Sequence, residues 1–147
     1  MANVYSAEYT NALINNPPVR NSAAVQGGRV RIFRATYTQG ASAGSIGDVV
    51  YFGKLPAGAT PLPFGNMCFS AGAATATLKL GLAGDDACFV AATAITSAGN
   101  ANLEAFAAGG AVKGPLAAET DVIGTNATAA IAAGQKITVW MPYVMND

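Results

Sequence analysis

From Arg29 to Val144 the apolar residues of this chain come in short period-two runs, each closed by Gly, Pro or Asn, and this pattern constrains the fold more than any other feature. Such alternation sends successive side chains to opposite faces of a β-strand. The clearest case is Thr75 to Leu82, where Leu78, Leu80 and Leu82 share one face and Thr77, Lys79 and Gly81 the other. In the final run, Lys136 to Val144, Ile137, Val139 and Met141 oppose Lys136, Thr138 and the single Trp140. Arg29 and Arg31 alternate with Val30 and Ile32 ahead of Phe33, Thr36 and Tyr37, which predicts the first core strand. Asp48 to Phe52 is dense in the β-branched and aromatic residues that suit a pleated surface, and Thr120 to Ile123 reads the same way.

The turn signals fit these runs. Gly53 to Ala59 places Pro56 and Gly58 where a turn would close, and Pro61 and Pro63 exclude a central strand after it. Gly84-Asp85-Asp86 reads as the turn of a hairpin between Leu82 and a second run from Ala87 to Thr96. Asn100 to Gly110 favours a helical turn around Leu103 and Phe106, stopped by Gly109-Gly110. Roughly seven or eight strands of about 5 to 8 residues predict an all-β fold, a β-sandwich or barrel.

Residues 1–28 differ. Asn11, Asn15, Asn16, Pro17, Pro18, Asn21 and Gly27-Gly28 interrupt any sustained period, so the segment reads as an extended N-terminal arm ahead of a sandwich domain at 29–147. A helical turn over Ala7 to Ile14 would bring Tyr5, Tyr9 and Leu13 to one face. Alone, such a segment buries too little apolar surface to offset its ordering entropy, so its order is expected to come from a neighbouring chain.

The 147 residues suit one domain, large enough to need neither disulfide nor metal. Only 11% are charged, against about a quarter in ordinary soluble domains. The 52% hydrophobic share is inflated by 32 alanines, which leaves a surface of small, weakly polar side chains suited to meeting other protein. No secretory leader or membrane span is expected: Leu55 to Leu78 is uncharged but broken by Pro56, Pro61 and Pro63. Cys68 and Cys88 sit among apolar and small residues, which predicts two buried free thiols.

Catalytic signatures are missing. The chain has no His, which removes the commonest general base and the Ser-His and Cys-His pairs. It has no Ser-x-x-Lys and no phosphate-binding Gly motif. Asp85-Asp86 lacks further acidic ligands for a cation, and reads as turn chemistry. Glu119 and Asp121, two residues apart, read as a solvated strand start rather than a carboxylate pair. Asn126-Ala127-Thr128 matches a glycosylation acceptor, a triplet that arises often by chance. No enzyme activity, metal or cofactor is expected.

Charge is unevenly placed. All four arginines, Arg20, Arg29, Arg31 and Arg34, lie in the first 40 residues against Glu8 alone, a charge of +3 there and −3 in the remainder. Guanidinium groups pair bidentately with carboxylates, so this stretch suits an acidic protein surface. A nucleic-acid binder would show a larger basic excess, and no nucleic acid is expected. The plainer reading makes Arg29 and Arg31 the solvent face of a strand.

The segments Gly53-Lys54-Leu55-Pro56-Ala57-Gly58-Ala59, Leu78 to Asp86 and Ala132-Ala133-Gly134-Gln135-Lys136-Ile137-Thr138-Val139 resemble the strand-turn units of small head proteins of tailed phages. In particular they resemble the jelly-roll-like cement proteins that clamp the capsids of some short-tailed phages, over about residues 46–145. The resemblance implies a jelly-roll-like β-sandwich and no catalytic residues. It implies a virion protein, made in the host cytoplasm and placed on the capsid exterior. There it would bridge major capsid protein subunits as a homo-oligomer, dimer or trimer, without nucleic acid or membrane. Partner contacts are then expected from Tyr5, Tyr9, Leu13 and Ile14 as apolar anchors and from Arg20, Arg29, Arg31 and Arg34 as ionic ones. The alternative is a ligand-binding β-sandwich of a phage fibre or a carbohydrate-binding module, for which Trp140 and five scattered Tyr are the available stacking surfaces.

Overall fold

A computed structural model of the chain describes residue 6 and residues 10–20, 28–103 and 114–145. The strands are β1 (Val30–Thr38), β2 (Val49–Leu55), β3 (Ala59–Pro61), β4 (Asn66–Phe69), β5 (Thr77–Leu82), β6 (Asp85–Ala94), β7 (Gly99–Asn102), β8 (Thr120–Asn126) and β9 (Lys136–Met145). One sheet runs β1-β9-β4-β7 with β3 also on β9, and the other runs β2-β8-β5-β6. All pairings are antiparallel. With the three-residue β3 set aside, the pairs β1 with β9, β2 with β8, β4 with β7 and β5 with β6 nest from the ends of the chain inward. One long hairpin wound on itself in this way gives the double-sheet jelly roll.

The two runs with the cleanest alternation occupy central positions, β9 in the first sheet and β5 in the second. Leu78, Leu80 and Leu82 face Ile137, Val139 and Met141 across the sandwich core, joined by Met67, Phe89 and Val122. Burying each large aliphatic side chain contributes roughly 1.5–3 kcal/mol, and these strands supply two rows of them. Among the described residues three polar side chains are buried, Thr60, Asn126 and Gln135. Gln135 is buried, and its amide donates to Ser70 O (3.0 Å) and Ile95 O (2.9 Å) while Oε1 accepts from Ala132 N (3.2 Å). Three partners satisfy a group that would otherwise be costly to bury, and they tie the turn before β9 to the ends of β4 and β6.

Several expectations need correction. The run at Arg29 to Tyr37 is not a core strand: β1 is an edge strand with no buried residue, and it turns Val30 and Ile32 outward while Phe33 and Tyr37 pack against the core. Asp85-Asp86 is not a turn, because Leu82 pairs with Asp85 and the turn is Ala83-Gly84, with Gly84 at φ 94°. Gly99–Asn102 is strand β7, not the start of a helical turn, while residues 104–110 of that expectation lie outside the described residues. Pro61 pairs in the three-residue β3, off the main strand order of its sheet, which agrees with its exclusion from a central strand. In the N-terminal segment Thr10–Ile14 forms one π-helical turn with no buried residue.

Candidate partner interface

Antiparallel register sets which side chains share the outer face of the first sheet. Residues directly opposite point the same way. Val30 lies opposite Val144, Ile32 opposite Pro142, Arg34 opposite Trp140, and Thr36 opposite Thr138. On the other side of β9, Trp140 lies opposite Asn66 and Thr138 opposite Cys68. The outer face therefore reads, from one end to the other, as an apolar half and a Thr-rich half.

Pro142 falls where β9 changes partners. Along that edge β9 pairs with β3 up to Tyr143 and with β4 from Trp140, and between them only Leu62 N bonds to Pro142 O, at 2.9 Å. The chain leaves the sheet over Leu62 to Gly65 and lifts Phe64 off its surface. The result is a groove of about 450 Å³ lined by Val30, Ile32, Phe64, Cys68, Trp140 and Pro142. Its apolar walls stand open to solvent: Val30 is 58% exposed, Ile32 62%, Phe64 68% and Trp140 43%. A cluster of exposed apolar side chains on one face is the kind of surface that marks an interaction site.

Charge at the groove is one-sided. The Arg34 guanidinium lies over the Trp140 ring, 5.0 Å from its centroid, a cation–π contact that leaves the planar N–H edges open to an acceptor. Among the described residues the ion pairs are Lys54–Glu119 (3.0 Å) and Lys79–Asp86 (3.4 Å), and neither includes an arginine. The described carboxylates, Asp48, Asp85, Asp86, Glu119 and Asp121, all lie on or beside strands of the second sheet. The hydrogen bond and charge of Glu119, helped by Asp121, raise the pKa of Lys54.

Arg34 is at the groove. Arg31 alternates with Ile32 and belongs to the other face of β1; Arg29, just before the strand, and Arg20 are both exposed. Leu13 and Ile14 are exposed on the π-helical turn, and Tyr5 and Tyr9 lie outside the described residues. The groove residues Val30, Ile32, Phe64, Trp140 and Pro142 were not foreseen. A signal was present: Val30 and Ile32 share the parity of Arg34, Thr36 and Thr38, and Trp140 and Pro142 that of Lys136 and Thr138.

Cys68 is a further correction, since it is an exposed thiol on the outer face of β4, whereas Cys88 is buried as expected, and neither is in a disulfide. Unfolding without reductant should expose two thiols. In the native protein an alkylating reagent should reach Cys68 well before Cys88; equal rates, or no titratable thiol, would contradict this placement. Asn126 of the glycosylation triplet is buried and donates to Ser45 O at 2.9 Å, so it does not present an acceptor site. Among the described residues no group of three or more acidic or Cys side chains could hold a metal ion, and no helix is long and apolar enough to cross a membrane.

No protein-family model matches the sequence, and no curated protein sequence matches it significantly. Solved structures do share the fold. A chain from the capsid of Ralstonia phage GP4 superposes with a TM-score of 0.67 at 20% identity, covering 82% of this chain and 86% of that one. A chain from the cyanophage Pam1 capsid asymmetric unit gives 0.62 at 21% identity, over 80% and 86%. A chain from the capsid of the Helicobacter pylori bacteriophage KHP30 gives 0.50 at 12%, over 80% and 89%. At such identities the likeness is one of fold, and it spans nearly the whole length of each partner.

Proposed function

We propose that this chain is a structural protein of a phage virion, a decoration or cement protein on the capsid exterior that bridges adjacent major capsid subunits. The observation that carries the reading is the fold match, over at least 80% of this chain, to chains from three phage capsids. Matching 82% of 147 residues to 86% of the GP4 chain makes that chain about 140 residues, so the match is to a small capsid component of similar size. The low charge content and the open apolar groove support a life spent against other protein. A homo-oligomer, dimer or trimer, would make such docking effective, because once one copy is seated each further contact is intramolecular. The arm at residues 1–28 is assigned to reach neighbouring subunits, and no catalytic step is assigned to any residue.

The rival reading, a carbohydrate-binding sandwich, is less well supported, because Arg34 already covers one face of the indole that a sugar would stack on. The test is to add purified protein to phage heads assembled without it. The reading expects saturable binding and a rise in the temperature at which the heads break open. Heads that neither bind the protein nor gain resistance would refute it.

A further inference from the structure

The geometry points to the groove over Pro142 as the seat of one extended segment of the shell protein, carrying an apolar side chain next to a carboxylate. This rests on the capsid reading above and adds to it the docking face and the chemistry of its occupant. The apolar side chain would enter between Ile32 and Phe64, over Pro142, and the carboxylate would meet the open edge of the Arg34 guanidinium.

Charge complementarity selects this occupant. The groove face carries Arg34 and, further along β9, Lys136, and none of the described carboxylates. An arginine already stacked on Trp140 is oriented before any partner arrives, so little side-chain freedom remains to be lost when a carboxylate binds. A second copy of the chain fits worse. Face-to-face pairing of two such sheets would bring together two faces that carry Arg34 and Lys136 and, among the described residues, no carboxylate, a like-charge approach that opposes association. The described carboxylates that head-to-tail pairing could offer lie on the second sheet, where Glu119 and Asp86 are already paired with lysines.

The position of Cys68 gives a direct readout, because it lines the groove and is exposed while Cys88 is buried. The experiment uses the full-length protein with heads assembled without it. Iodoacetamide labelling of Cys68 is measured free and bound, and binding is compared for the wild type, Arg34→Glu and Ile32→Asp, with circular dichroism confirming that each variant is folded. Both substitutions are at exposed positions of an edge strand, and Arg34→Lys serves as the charge-conserving control. The proposal expects Cys68 to be protected at least about fivefold on bound particles. It expects each of the two disruptive variants to bind about tenfold or more weakly, with Arg34→Lys intermediate. If the wild type binds and both variants bind equally well with Cys68 still labelled, the groove assignment is overturned and the capsid reading stands. If the wild type does not bind, both fall. If the variants keep particle binding but lose self-association, the occupant is a second copy and the proposal is wrong.

Discussion

Gly81→Ala should abolish folding or cost on the order of 4 kcal/mol or more, the range reached only by severe core lesions. Gly81 is buried in β5, and a Cβ there would run into the Asp85 carbonyl oxygen and the backbone of Asp86 and Ala87. The obstacle is main chain on the neighbouring strand, so no rotamer change relieves it. The register of β5 with β6 shifts between Leu78 and Leu80 and again between Leu80 and Leu82, and at Gly81 the β6 backbone closes over the position. Gly84 offers the control. It adopts φ 94° in the adjoining turn with open space where a Cβ would go, so Gly84→Ala carries only a backbone penalty of about 1 kcal/mol. Urea melts of the two variants should differ widely in midpoint; similar midpoints would contradict the close approach of β6 to Gly81.

Deleting residues 2–19 should leave the sandwich folded but weaken particle binding by about tenfold or more. No residue of the described part of this segment is fully buried: Leu13, Ile14 and Val19 are exposed, and its backbone bonds run within it, from Thr10 N to Ser6 O, Asn15 N to Thr10 O and Val19 N to Asn11 O. The described residues of the segment therefore put little core stability at risk. Burying even two such aliphatic side chains in a neighbouring subunit would contribute about 3 kcal/mol, and every 1.4 kcal/mol is a factor of ten in affinity. Binding of the full chain should also fall as salt is raised, through screening of the Arg contacts. Unchanged occupancy of the truncated protein would contradict the role given to the arm, and an unfolded truncation would make the arm part of the core.

Strands β5 and β9 are legible in the sequence because each is central in its sheet and buries a row of alternate side chains, so Leu78-Leu80-Leu82 and Ile137-Val139-Met141 stand out against their polar neighbours. Strand β4 is not. Only Met67 and Phe69 of its four residues are buried, too few to establish a period. Strand β7, Gly-Asn-Ala-Asn, has no apolar signal and is held through its pairing with β4. The edge strand β1 misled because Val30 and Ile32 look like core residues in isolation. Their outward direction is set by Phe33 and Tyr37, which take the inward phase. The groove leaves little local signal, because it is assembled from residues 30–32, 64–68 and 140–142, each contributing at most a few exposed side chains. Its depth depends on the change of partner along β9 at Pro142, a property of sheet topology that no local pattern encodes.

The most direct test of the central claim is a cryo-EM difference map between virions carrying this protein and virions whose gene for it has been deleted. The account predicts extra density on the outside of the shell, fitted by the two-sheet jelly roll and touching at least two major capsid subunits per oligomer. Density confined to the inner surface or the tail, or no difference between the two particles, would contradict it.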